Sequence, residues 1–212
     1  MEDPFIEFCK NGNLEGAKEF LILNPDINIS IENELAFRWA CYYGKLEVAK
    51  WLLQVKPNID ISVNNESAFC CACMNGHLEV VQWLLSVKPD INISIYNEVV
   101  FRGACANGRL EVAKWLLSMK SDINISVNNH LVFREACCYR HLEVAKWLQS
   151  LKPYLYVIEY DLDGFYAGYK IRTKEEANWE RRKYALHLAL QEKTNILYYL
   201  PTDIAKTVTV FV

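Results

Sequence analysis

The sequence is poor in the features that announce catalysis, membrane insertion or nucleic-acid binding. Its eight glycines in 212 residues form no G-x-G-x-x-G or similar phosphate-cradling loop. It has no run of about 18 or more apolar residues, so no membrane span is predicted. An excess of one charge is also missing: 23 basic and 26 acidic residues leave a net charge of −3. A dedicated DNA or RNA binder needs a basic face to replace counterions, so nucleic acid is not an expected partner. The opening Met1-Glu2-Asp3-Pro4 lacks the basic start and apolar stretch of a secretion signal, which predicts an intracellular protein of cytoplasm or nucleus. The four histidines, His77, His130, His141 and His187, assemble no acid, base or nucleophile set, and an enzyme is not expected. Apolar residues at 52% and charged residues at 23% are the balance of a globular chain long enough to bury a sizeable core.

What the chain has in quantity is itself. The motif Leu-Glu-x-Ala/Val-x-Trp-Leu begins at Leu46, Leu78, Leu110 and Leu142, each 32 residues after the last, and Leu14-Glu15-x-Ala17 opens a first copy at the same step, with Phe20 roughly in the aromatic's place. Other columns keep the same step: Phe5, Phe37, Phe69, Phe101 and Phe133; Cys9, Cys41, Cys73, Cys105 and Cys137. Gly12, Gly44, Gly76 and Gly108 form another, ending at Arg140, and Trp51, Trp83, Trp115 and Trp147 a fourth, predicted as core. A fixed period of this size means a stacked array in which each unit buries its apolar face on the next.

One unit reads as helix, tight turn, helix and extended finger. Asn33 is the expected N-cap, repeated as Asn65, Asn97 and Asn129. Phe37, Ala40 and Cys41 keep helical spacing, and Gly44 supplies the positive φ that ends the helix. Leu46, Val48, Ala49, Leu52 and Leu53 form the stripe of a second helix, which Pro57 closes. Ile59-Asp60-Ile61-Ser62-Val63 alternates with period two and predicts an extended segment with one buried face.

The run Ala40-Cys41-x-x-Gly44-x-Leu46-Glu47-Val48-Ala49-x-x-Leu52-Leu53, with the Pro89-Asp90-Ile91-Asn92 finger, resembles the ankyrin-repeat family over residues 1–153. The units are one residue shorter than usual, and Glu34-Leu35-Ala36-Phe37 replaces the family's Thr-Pro-Leu-His. The Phe-Arg-x-Ala-Cys and Lys-Pro-Asp-Ile-Asn-Ile segments are similar to the ankyrin families of giant DNA viruses. The resemblance implies an all-α solenoid that binds a partner protein through a concave groove, with no cofactor and no metal; a monomer is expected.

After Pro153 the period fails. Tyr154–Tyr160 and Phe165–Ile171 are β-rich runs around Asp163-Gly164, a hairpin signal. An enzyme with a site in this insertion is one alternative reading, against which Glu159, Asp161 and Asp163 there are the chemistry of a turn and no acid, base or nucleophile set accompanies them. A charged helix near 174–183 should follow, making residues 154–183 an insertion. Ala185-Leu186-His187-Leu188-Ala189 resembles a sixth, degenerate repeat, so residues 184–212 are expected to close the stack. Leu200, Pro201, Asp203, Ile204, Val208 and Phe211 resemble the start of an F-box, truncated after one helix. That likeness implies docking to the adaptor of a cullin ubiquitin ligase; the plainer reading is a capping helix.

The cysteine column is expected to pack as small apolar residues. Cys70-Cys71-x-Cys73 with His77, and Cys137 with His141, lie two repeats apart, too far to share one metal ion. Asn28-Ile29-Ser30, Asn92-Ile93-Ser94 and Asn124-Ile125-Ser126 fit a glycosylation pattern but follow from the repeat itself. Columns that vary between copies are free of the scaffold's demands. In the first helix these are Trp39/Cys71/Gly103/Glu135, Tyr42/Met74/Ala106/Cys138 and Tyr43/Asn75/Asn107/Tyr139; in the finger, Glu32/Asn64/Tyr96/Asn128. They match the family's groove, and Trp39, Tyr42, Tyr43, Cys71, Met74, Asn75, Tyr96, Asn107, Glu135 and Tyr139 are the candidate contacts. Aromatics dominate interface hot spots, which favours Trp39, Tyr42, Tyr43, Tyr96 and Tyr139.

Overall fold

The computed structural model describes residues 3–93, 95–160, 163–164, 166–173, 175–180 and 182–183, with the side chains of 31, 33, 65, 95–98, 127 and 129 excepted. The sixth repeat and the F-box-like segment expected over 184–212 therefore lie outside the described residues. The chain forms two compact units, Met1–Trp147 and Leu148–Val212.

Unit one is built of helix pairs. The first helices are α1 (Pro4–Asn11), α3 (Ile31–Tyr42), α5 (Val63–Asn75), α7 (Ile95–Ala106) and α9 (Val127–Cys138). The second helices are α2 (Leu14–Leu23), α4 (Leu46–Val55), α6 (Leu78–Val87), α8 (Leu110–Met119) and α10 (Leu142–Leu151), the last running on into unit two. Each first helix packs on the next in chain order, and α2, α4, α6 and α8 each pack on the first helix of their own pair. The recurrent columns fill the core: Phe37, Ala40, Cys41, Val48, Ala49 and Leu52 are each at most 1% exposed, and their equivalents in later copies are as deeply buried.

Three expectations change. The fingers contain no strand among the described residues; they run as turns. Asn28 Oδ1, Asp60 Oδ1 and Asn124 Oδ1 accept from the amides of Ser30, Ser62 and Ser126 at 2.9–3.0 Å. This side-chain turn is what the recurring Asn/Asp-x-Ser encodes. Ile59 and Ile61 are both buried, as are Ile123 and Ile125, so burial alternates without a ladder. The turn also starts the helix early: α3 begins at Ile31, and Ser30, not Asn33, holds the cap position, making no side-chain cap bond. Glu32 and Glu34 take φ of 49° and 60°, leaving Asn33 inside an irregular first turn. Finally, the tryptophans are half-buried. Trp51 and Trp83 lie 6.3 and 6.2 Å from Phe5 and Phe37 of the preceding copies, across the joint between repeats.

In unit two, β1 (Tyr156–Tyr160) and β2 (Tyr166–Ile171) pair antiparallel, Tyr156 opposite Ile171 and Ile158 opposite Tyr169, with an irregularity at Glu159/Tyr160. Residues 175–180 are helical. A capping box starts that helix: Glu176 donates its amide to Thr173 Oγ1 at 3.2 Å, and Glu176 Oε2 accepts from the Thr173 amide at 2.8 Å.

Candidate functional site

The first helices leave their variable columns pointing away from the core, and the columns change size from copy to copy. In the second repeat they carry Trp39, Tyr42 and Tyr43, which pack on one another. Trp39 stacks on Tyr43 with centroids 5.5 Å apart, and Tyr42 meets Trp39 and Tyr43 edge-on at 5.2 and 4.8 Å. Lys10 Nζ sits 5.9 Å over the Tyr43 ring. Tyr43 stays 38% exposed, so the triad is a wet aromatic ridge rather than core.

In the third repeat the same columns carry Cys71, Met74 and Asn75. Asn75 Nδ2 donates to the Cys71 carbonyl at 2.9 Å. Met74 leans toward Gly103: a Cβ there would come within 2.7 Å of its side chain. In the fourth repeat the columns shrink to Gly103, Ala106 and Asn107 and the floor falls away. A hollow of about 430 Å³ opens, lined by Arg102, Gly103, Ala106, Asn107, Glu135, Tyr139 and His141. Arg102 Nε faces Glu135 Oε2 at 3.7 Å on its wall. Tyr139, 63% exposed, stands at its far side.

The structure thus gathers Trp39, Tyr42 and Tyr43 at one end of a strip and Asn107, Glu135 and Tyr139 at the other, with Cys71, Met74 and Asn75 between. The side chain of Tyr96 is not among those described, and Leu200, Pro201, Asp203, Ile204, Val208 and Phe211 lie outside the described residues. Gly103 and Ala106 belong to the variable columns without being candidate contacts, and Arg102 and His141 join the hollow's lining from outside those columns. The run of decreasing size Trp–Cys–Gly down one column was the signal for the hollow.

A joint between repeats was also missed. His77 Nε2 hydrogen-bonds the Tyr42 carbonyl at 2.9 Å, closing the C-terminus of α3 from the next copy. The same imidazole covers Gly44 (φ 69°), where a Cβ would collide with it. One copy later Arg109 Nε donates to the Met74 carbonyl at 3.4 Å and covers Gly76. Glycine is therefore fixed by a neighbour as well as by its φ. Burial holds the His77 imidazole below its ordinary 6.5; the Tyr42 carbonyl partly offsets this, and Arg109 and Lys45 add to it.

Burial likewise raises the column thiols, Cys9 to about 12, with Cys41, Cys73 and Cys105 also well up. They are neutral packing groups, not nucleophiles or metal-ready thiolates. Half-buried Cys70 is pushed to about 11, first by burial and then by Cys71 and Glu66.

Comparison with known proteins supports the same architecture. Residues 5–95 match the family model described as ankyrin repeats in three copies. The crystal structure of the human ASB11 ankyrin repeat domain is similar at a TM-score of 0.55 and 22% identity, over 71% of this chain and 69% of that one. No curated protein matches the chain. The period, the helix pairs closed by glycine turns and these two matches give the chain the fold of an ankyrin-repeat solenoid, with a two-stranded hairpin near its C-terminus, and residues 5–95 carry the repeats that the family model describes.

Proposed function

We propose that this module captures one protein partner in the groove of unit one, using the variable strip from Trp39 to Tyr139 as the contact surface. Ankyrin repeats are protein-interaction modules, and a surface already rigid in the free chain loses little entropy on binding. The observation that carries the reading is the relief of the strip: an aromatic ridge at Trp39, Tyr42 and Tyr43 and a hollow at Gly103 and Ala106, on otherwise equivalent copies. Ridge and hollow are what a shape-complementary partner needs, and nothing in the scaffold requires either. The test is quantitative capture by the whole chain from its native cell. Trp39→Ala/Tyr43→Ala should abolish the specific partner set while the thermal unfolding midpoint stays nearly unchanged. A large fall in that midpoint would show the pair to be structural and sink the assignment.

The likeness to the ankyrin families of giant DNA viruses, drawn from the Phe-Arg-x-Ala-Cys segments, would place that native cell as an infected host. A second reading rests on the Leu200-Pro201-x-Asp203-Ile204 pattern: the groove would hold a target and the C-terminal segment a ubiquitin-ligase adaptor. Co-precipitation of a cullin that disappears on deleting residues 200–212 supports it; a cullin-free precipitate overturns it.

A further inference from the structure

Arginine and lysine are segregated in residues 3–147. Arginine occurs at 38, 102, 109, 134 and 140, each in the C-terminal half of a first helix or in the turn after it. Lysine sits on the second helices and the fingers behind them, as at Lys18, Lys50, Lys56 and Lys114, with Lys10 and Lys45 the exceptions. Across the five first-helix ends and turns, residues 6–13, 38–45, 70–77, 102–109 and 134–141, seven cations face two carboxylates, Glu7 and Glu135. The whole chain is acidic, at −3, so this strip is basic against the trend.

The two cations are not interchangeable. Arginine's planar fork grips a carboxylate through two parallel hydrogen bonds, whereas lysine is a solvated point charge. The second-helix lysines are already paired one turn away, Lys50 with Glu47 and Lys114 with Glu111, each at 2.9 Å. The arginine column lies across neighbouring first helices instead. Arg38 Nε donates to Ser67 Oγ at 3.2 Å, and Arg102 reaches Glu135 on the hollow's wall. Arg134 and Arg140 are exposed.

We infer that the groove's occupant is an acidic peptide segment of the partner, with its carboxylates along Arg102, Arg109, Arg134 and Arg140 and one side chain in the hollow against Tyr139. This rests on the groove being the contact surface and adds the partner's charge. A nucleic-acid strand would also be drawn to arginine. Its continuous charge, however, gains little on the adjoining fingers, where Lys88 and Lys120 already pair with Asp90 and Asp122, while a peptide can confine its acids to the basic strip.

Selection of random 12-residue peptides displayed on phage against the whole chain tests this, with affinities of the selected peptides then measured by fluorescence polarisation. Selected peptides should be rich in Asp and Glu, and their Gln/Asn versions should bind at least tenfold more weakly. Arg134→Gln/Arg140→Gln, at exposed positions, should cost tenfold or more with an unchanged unfolding midpoint; Arg102→Gln is the second variant, and Lys50→Gln/Lys114→Gln should change nothing. Neutral or basic peptides that lose binding to Trp39→Ala/Tyr43→Ala but not to the arginine variants would overturn the acidic partner and leave the groove in place. Peptides indifferent to both sets, or no selected peptide, would overturn both readings. A labelled 15-nucleotide thymidine strand binding more tightly than the best acidic peptide would also overturn it.

Discussion

The second and fourth repeats share one backbone plan and present opposite surfaces. Phe37, Ala40 and Cys41 in α3 and Phe101, Ala104 and Cys105 in α7 are equally buried. On the outward side Trp39, Tyr42 and Tyr43 build a ridge where Gly103, Ala106 and Asn107 leave a hollow. The fold is thus indifferent to groups as different as indole and hydrogen at the outward column, because those positions never enter the core. The demands of the core and the outward relief fall on separate residues of the same helix, and the two can be varied independently.

That separation can be attacked from both sides. The largest effect is expected in the core: Phe37→Ala and Phe101→Ala should each cost about 3–5 kcal/mol in chemical denaturation, and unequal costs would show that the copies are not mechanically equivalent. Next, Gly44→Ala forces a left-handed backbone and a collision with His77, at a cost of about 1–3 kcal/mol. Gly103→Ala lies in a helix with only the flexible Met74 in the way. It should change stability by less than about 1 kcal/mol, in either direction, while partly filling the hollow.

The pH response should come from the joint. The folded chain binds a proton at His77 less readily than the unfolded chain does, so stability is whole above about 6.5 and falls as pH drops below it. Unfolding midpoints between pH 7.5 and 5.5 would show the slope, and His77→Gln should flatten it; an unchanged slope would place the proton elsewhere. Smallest of all, Lys114→Gln removes an exposed pair with Glu111 and should shift stability by only a few tenths of a kcal/mol.

The architecture was legible because burial imposes one demand per copy and the chain repeats its answer at Phe37, Phe69, Phe101 and Phe133. What the period could not distinguish was the reason for a recurrence. Trp51 and Trp83 recur because they bridge copies, so they are only half-buried. Leu23, Val55, Val87 and Met119 form an apolar column that is 79%, 41%, 41% and 51% exposed, so recurrence alone did not imply burial. Alternation of Ile59 and Ile61 read as a strand because side-chain turns place apolar residues with the same period as a ladder. The site was legible as a list of unconstrained positions. Its relief was not, since the hollow is produced by neighbours, Glu135 and Tyr139 among them, that lie a full copy away from Gly103 and Ala106 in sequence.

The His77–Gly44 joint has a consequence for how such a chain can change length. Each joint is made half by one copy and half by the next, and Arg109 with Gly76 repeats the arrangement. A cut-and-paste of 32 residues between Gly12 and Gly108 restores a covering side chain above and a glycine below. One residue more or fewer leaves a carbonyl unclosed and a Cβ-sized gap unfilled. The array can gain or lose modules as a chain gains or loses links, with no part redesigned, and only whole links will do.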